Sequence, residues 1–304
     1  MIQFATKEML PALKGIWKAC FGDPDAYIDL YFSHRFRPEY TLVEVVHGEP
    51  LAMLTMLPCE ISTDNGLFSA RYIYAVATLP KAQGRGYSSA LLEYAHRWMR
   101  KNGVDVSLLV PAEENLFQFY RKRGYLPAFS VREVTLSRAD LVRLASEGPA
   151  LGRTVELKAL DAAGLYALRE EFYGKQGIFV RWDEEALAYV AEENAFTGGK
   201  ILRFSTDYGH GYMVCYKIGS IIAVKECGTR DETLLCRALL SAFDEDSFLL
   251  RLAADSPLFA GMGEKREFGA AVYLRDTRDK ALKSLPERLT GRALDEPYLG
   301  LVLD

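Results

Sequence analysis

One stretch constrains this 304-residue chain more than any other, and it runs from Arg71 to Tyr125. Tyr72 to Thr78 reads as a strand, and Gln83-Gly84-Arg85-Gly86-Tyr87-Ser88 follows as a glycine-rich loop. Tyr87 to about Lys101 reads as a helix with Leu91, Tyr94, Ala95 and Trp98 on its buried stripe, stopped by Asn102-Gly103. A second strand (Val104 to Val110) and a short helix leading to Gly124-Tyr125 complete the stretch. The first N–H groups of a helix have no partner within it, and its N-terminus carries about half a positive charge. Small residues at Gly84, Gly86 and Ser88 let the backbone approach a ligand closely. Strand, glycine loop and helix N-terminus in that order predict a phosphate cradle.

Two common phosphate loops do not fit. A Walker loop would need Gly-x-x-x-x-Gly-Lys-Ser/Thr, which is absent, and a dinucleotide fingerprint would need a third glycine where Ser89 stands. The fitting pattern is Gln/Arg-x-x-Gly-x-Gly/Ala, written here as Gln83 to Ser88 and preceded by Val76-Ala77-Thr78-Leu79-Pro80. A second signature follows: Asn115, then Phe119-Tyr120-x-x-x-Gly124-Tyr125. On these two signatures, roughly the first 137 residues resemble the GNAT (Gcn5-related N-acetyltransferase) superfamily. Ser88 departs from the usual Gly or Ala, but serine is small and can itself donate to a phosphate.

The rest of the chain supports a two-part organisation. A short strand (Ile2 to Ala5), two helices (Met9 to Trp17 and Tyr27 to Phe32) and two strands about His47-Gly48-Glu49 lead to the central stretch. Val131 to Leu136 alternates as a strand and is expected to close the first domain. Ser146-Glu147-Gly148-Pro149 and Gly152 mark a linker. After it the element order repeats: helices about Ala159 to Tyr173 and Asp183 to Ala195, strands Lys200 to Ser205, Gly211 to Lys217 and Ser220 to Cys227. A helix (Asp231 to Phe243) and strands at Phe248 to Ala253 and Ala270 to Arg275 complete it. Glu226-Cys227-Gly228-Thr229-Arg230-Asp231, acidic and with one glycine, stands where the first half has its loop. The expectation is an α/β (α+β) chain of tandem GNAT-like domains, each a mixed, largely antiparallel central sheet flanked by helices. Its parts are a catalytic domain (1–140), a linker (141–153) and a degenerate second domain with a C-terminal tail (154–304).

The tandem plan and the Pro111-Ala112-Glu113-Glu114…Tyr120 wording also resemble the Eis-type acetyltransferases. Those carry a third domain, whereas only about thirty residues follow Arg275 here. The apolar tail Glu296 to Asp304 is expected to dock on its own domain.

The resemblance implies acetyl transfer from acetyl-CoA to a primary amine of a small molecule or peptide. Acyl transfer needs a donor for the carbonyl oxygen and a proton for the departing thiolate. The resemblance assigns the first to the backbone N–H of Val76 and the second to Tyr120. It assigns the pantetheine arm to Val76, Ala77 and Thr78, and the pyrophosphate to Gln83, Gly84, Arg85, Gly86, Tyr87 and Ser88. Asn115 and Tyr120 complete the expected cofactor contacts. The base stays unassigned, since Glu60, Glu113 and Glu114 are not singled out by spacing.

Composition excludes several other classes. A net charge of −4 and a pI near 5.7 disfavour nucleic acid as a partner, and Arg121-Lys122-Arg123 reads as cations closing a helix. Five cysteines without a Cys-x-x-Cys and four scattered histidines argue against a disulfide framework and a metal site. No apolar run approaches the roughly 18 residues of a membrane span, and the start has no leader pattern. A reducing cytoplasm is the expected location, with a homo-oligomer left open. Gly86-Tyr87-Ser88-Ser89-Ala90 nearly spells a hydrolase elbow, but the later histidines, His96 and His210, fit no triad order. Two further readings are a non-catalytic acyl-CoA-binding protein and a tandem-GNAT aminoacyl transferase that uses charged tRNA.

Overall fold

The computed structural model describes residues 1–147, 154–174, 177–275, 285–291 and 296–302. In chain order the first elements are β1 (Ile2–Phe4), α1 (Leu10–Phe21), α2 (Asp25–His34), β2 (Thr41–Val46), β3 (Glu49–Thr63) and β4 (Gly66–Thr78). They are followed by α3 (Tyr87–Lys101), β5 (Val106–Leu109), α4 (Leu116–Arg121), β6 (Leu126–Ser137) and α5 (Arg138–Ser146). Next come β7 (Glu156–Ala159), α6 (Ala162–Phe172), β8 (Phe179–Arg181), α7 (Glu184–Phe196), β9 (Lys200–Thr206), β10 (Gly209–Ile218) and β11 (Ile221–Thr229). The last are α8 (Glu232–Ala242), β12 (Ser247–Ala253), β13 (Glu264–Tyr273) and α9 (Leu285–Thr290).

The chain divides into two compact units. One comprises Met1–Ile61, Asn65–Ala128 and Gly269–Leu294; the other comprises Ser62–Asp64, Phe129–Phe268 and Asp295–Asp304.

In the first unit β1, β2 and β3 pair antiparallel in sequence order, and β4 pairs parallel with β5. The helix α1 ends where Gly22 turns left-handed (φ 76°), and its buried face is Leu13, Ile16 and Trp17. The core joins both strands and helices: Leu42, Leu54, Met56 and Ile73 meet Leu91, Leu92, Ala95 and Met99 of α3. Tyr120, Tyr125, Ala270 and Leu274 belong to the same cluster.

Those last two residues correct an expectation. Val131 to Leu136 was expected to close the first domain, yet it pairs antiparallel with β12 (Val131↔Ala253, Leu136↔Phe248) in the second unit. The free edge of β5 is completed by the end of β13 instead, with Ala270↔Leu109 and Tyr273↔Val106. Leu274 N–H extends this pairing to the Asp105 carbonyl at 2.7 Å. Alternation says that a strand has an inner and an outer face, and it does not say which edge the strand will complete.

The second unit packs β12, β11, β10 and β9 in spatial order, with β11 and β12 parallel and the other pairs antiparallel. Its core is built from Val224, Leu250, Leu252 and Phe248 against Leu235, Ala238 and Leu239 of α8. The expected linker begins inside α5, whose N-terminus has a full capping box between Ser137 and Asp140; residues 148–153 lie outside the described ones. Two short strands, β7 and β8, had no signal strong enough to read.

Candidate active site

The site begins with a bend in β4. Pairing with β5 covers only Ala70 to Tyr72, and Ile73 to Thr78 run on without that neighbour. Within this stretch Ala75 has φ +50°, a left-handed conformation rare for a residue with a Cβ. Such a residue interrupts the strand and re-aims the next peptide, here that of Val76. Val76 is half-buried, Ala77 and Thr78 are buried, and Val76 packs on the core cluster of the unit. The sequence places the expected oxyanion donor and the pantetheine-binding residues on this bent segment, which keeps β3 on one side and has left β5 on the other.

The loop that follows is tied down by its own side chains. The Thr78 hydroxyl lies 2.8 Å from the Ser88 hydroxyl, fastening the end of β4 to the first turn of α3. This gives Ser88 a structural role that the usual Gly or Ala would lack. The Thr78 carbonyl accepts from Gln83 Nε2 at 3.2 Å and from the Cys20 thiol at 3.3 Å. Gln83 therefore spends its amide on the loop. Gly84 (φ 76°) and Gly86 (φ 82°) are both left-handed, which explains glycine at each. Their α-carbons face open space, since a Cβ at either would meet nothing within 4 Å.

Gly86 is the N-cap of α3, and no side chain caps the helix. Its first turn holds no acid. The amides and the positive end of the helix dipole are thus left for an anion, and the exposed Arg85 stands beside them. Tyr87 is the first helical residue and packs on the core. These features fit a pyrophosphate.

Two tyrosines of the second signature are treated differently by the fold. Tyr125 is 1% exposed, and its hydroxyl lies 2.7 Å from Ser107 Oγ and 3.0 Å from His96 Nε2. Tyr120 is 8% exposed, and among the described residues no hydrogen bond to its hydroxyl acts on its titration. Its ring packs edge-on to Tyr125 at 5.7 Å. Burial pushes the Tyr120 hydroxyl up to about 12, against the pull of the Arg123 charge, so it stays protonated at neutral pH. One tyrosine is committed to the core and the other keeps its donor.

Arg123 was missed as a site residue. The sequence offers it as one of three cations closing a helix, yet its guanidinium donates to Ser89 Oγ through Nε at 3.0 Å and again through Nη2. It lies 3.4 Å from the centre of the Phe119 ring and donates to the Phe119 carbonyl. Ser89 is on the first turn of α3, so this fixes a cation at the helix end where an anion would dock. The usable signal was its place inside Tyr120-x-x-x-Gly124. Asn115 precedes α4, is exposed and donates to Glu113 at 3.1 Å.

The second unit has the same strand geometry and a different filling. In β11 the register against β10 slips between Val214↔Glu226 and Cys215↔Val224, leaving Lys225 as the extra residue of a bulge. Pairing with β12 ends at Val224↔Leu250. The residue after this bulge is Glu226, fully buried, and its carboxylate meets Arg169 at 2.8 Å and 3.2 Å. Tyr212 donates to it at 2.7 Å, Tyr298 at 3.2 Å and the Leu301 N–H at 3.0 Å. Burial would lower the Arg169 pKa, and the Glu226 charge outweighs this and holds it above the usual range. Only Arg230 and Asp231 separate β11 from α8. Asp231 caps α8 by accepting from the Leu234 N–H at 3.0 Å, and Glu232 accepts from the Phe259 N–H. Among the described residues no group of three His, Cys, Asp or Glu side chains is placed to hold a metal, and no helix is long and apolar enough to cross a membrane.

Comparison with known proteins agrees with this geometry. Residues 1–128 match the family described as Acetyltransferase (GNAT) domain. A GCN5-related N-acetyltransferase from Kribbella flavida superposes with a TM-score of 0.68 at 18% identity, covering 90% of this chain and 72% of that one. Eis1 from Mycobacterium abscessus gives 0.68 at 16% identity, covering 90% and 74%. The N-myristoyltransferase of Saccharomyces cerevisiae, solved with bound myristoyl-CoA, gives 0.54 at 10% identity, covering 91% and 79%. No curated protein matches the chain. Residues 1–128 are therefore similar to a GNAT acetyltransferase domain, and the chain shares its fold with Eis1 and other GNAT proteins.

Proposed function

We propose that the protein is an acetyl-CoA-dependent N-acetyltransferase that passes the acetyl group directly to a primary amine of a small molecule or peptide. The observation that carries this reading is the uncapped N-terminus of α3 behind two left-handed glycines. Gly84, Gly86 and Ser88 amides with Arg85 and Arg123 would take the pyrophosphate. Val76 to Thr78, on the part of β4 beyond its pairing with β5, would take the pantetheine arm.

In the transfer the amine nitrogen attacks the thioester carbonyl carbon, a C–N bond forms and the C–S bond breaks. The Val76 N–H meets the charge that grows on the carbonyl oxygen. The Tyr120 hydroxyl gives a proton to the departing thiolate, and the amine loses one to water. Five free cysteines suit a reducing compartment, and we place the protein in the cytoplasm.

The test is thermal unfolding with and without acetyl-CoA, beside Gly86→Glu, which puts a carboxylate at the helix N-terminus. Acetyl-CoA at 100 times its dissociation constant should stabilise the native chain by about 2.7 kcal/mol and leave the variant unmoved. No shift in the native chain would remove the assignment.

A further inference from the structure

Arg35 follows the C-terminus of α2, where its N–H closes the helix on the Tyr31 carbonyl at 2.8 Å. It is 5% exposed, and its Nε and Nη2 are buried without a hydrogen-bond partner in the chain. Isolated buried cations are costly and are normally paired. The acids of the α1–α2 region are engaged elsewhere. Asp23 accepts from Trp17 Nε1 at 2.7 Å, Asp25 pairs with Lys18 at 3.0 Å, and Asp29 pairs with Lys14 at 2.7 Å. Buried Glu44 holds the amino group of Met1 at 2.6 Å.

Arg35 is tied through its backbone to Tyr31, a member of the ring cluster beside the bend in β4. Its charge acts on the buried Tyr31 hydroxyl, and the Tyr31 ring lies 4.4 Å from Trp17 and 5.4 Å from Tyr74. Tyr74 directly precedes the left-handed Ala75, and Val76 comes next. The two unmet nitrogens form one edge of the guanidinium plane, the edge that takes both oxygens of a carboxylate. A single negative charge would balance the single positive one, and the rings of Trp17, Tyr31 and Tyr74 nearby in the chain's fold suit an apolar stem.

We propose that Arg35 anchors a carboxylate of the acceptor, so that the amines this protein acetylates also bear an acid group. The proposal rests on the acetyltransferase reading for its word acceptor, and its test separates the two.

Binding of 3-phenylpropionate and of its carboxamide to the full chain saturated with acetyl-CoA is compared by calorimetry. Amino acids and their amides are then compared as acceptors by thiol release. The acid should be preferred by roughly 10-fold or more in both assays, as expected for a charge-assisted pair. The preference should vanish in Arg35→Gln and survive in part in Arg35→Lys, with acetyl-CoA affinity unchanged in both. Because Arg35→Gln removes an unpaired buried charge, its unfolding temperature should be equal to or above that of the native chain. A fall of several degrees would make Arg35 a structural tie and overturn the proposal. Equal binding of acid and amide by the native chain, or none, would overturn it too. A preference for succinyl-CoA over acetyl-CoA without acid–amide discrimination would move the carboxylate to the acyl group. Failure of acetyl-CoA to bind, with acid discrimination intact, would sink the enzyme reading and leave a carboxylate site.

Discussion

The two units bend the same strand at the same place and then do opposite things with the opening. In the first, the residue after the bend is Val76, the connection to the next helix runs from Leu79 to Gly86, and α3 has no capping side chain. In the second, the residue after the bulge is Glu226, the connection is Arg230 and Asp231, and Asp231 caps α8. The first leaves amides and a dipole for a ligand to satisfy. The second satisfies them from within, and fills the gap between its strands with an ion pair and three further donors. A binding fold becomes a structural one when its own side chains replace the ligand.

The largest effect should come from emptying the filled side. Glu226→Ala would strand the Arg169 cation, which is 2% exposed, and should lower stability by about 3–5 kcal/mol in chemical denaturation. Replacing both partners, as Arg169→Met with Glu226→Leu, should recover most of that loss. If the single variant is as stable as the native chain, the cluster is not what holds this unit together.

Acid should find the first unit next. Burial, and secondarily the Arg100 charge, push His96 down to about 4 from an unfolded value near 6.5. The folded value is the lower one, so this contribution is complete above pH 6.5 and is lost as the pH falls toward 4. On the order of 3 kcal/mol should disappear in that window. His96→Gln should flatten this part of the stability–pH curve, and an unchanged curve would show that His96 charges without cost.

The two tyrosines sharpen the contrast within one motif. Tyr120→Phe should lower kcat about 100-fold with acetyl-CoA affinity intact, the usual scale for a lost general acid. Tyr125→Phe should leave kcat near native and lower stability by about 1–3 kcal/mol, because Ser107 and His96 lose a buried partner. Turnover that falls equally in both would erase the distinction. The smallest effect belongs to the cap: Asp231→Ala should cost about 1 kcal/mol of stability and leave acetyl-CoA binding unchanged.

Legibility followed the range of the interactions. Gly84, Gly86 and the helix from Tyr87 to Lys101 were readable because backbone sterics and helical period act within a few residues. Glu226 was read as the start of a degraded loop, but it lies on β11 opposite Val214, since the connection to α8 is only two residues long. Its partner Arg169 is 57 residues away and no local pattern announces it. Arg123 looked like a helix-closing cation until its distances to Ser89 were known. Tyr120 was legible as a motif position, while the uncommitted state of its hydroxyl belongs to the packing around it.

The end of β13 has a consequence for how the chain is made. When a ribosome has released Met1 to Leu109, β5 has its parallel neighbour on one side and nothing on the other, and its partner Ala270 to Tyr273 is still unwritten. At about 5–20 residues per second, the wait is on the order of ten seconds or more. Through that interval the unit that holds the candidate active site shows a bare strand edge, open to pairing with another nascent chain. A chain cut at residue 140 would keep that edge for life, so the shortest piece able to complete the first unit runs to β13.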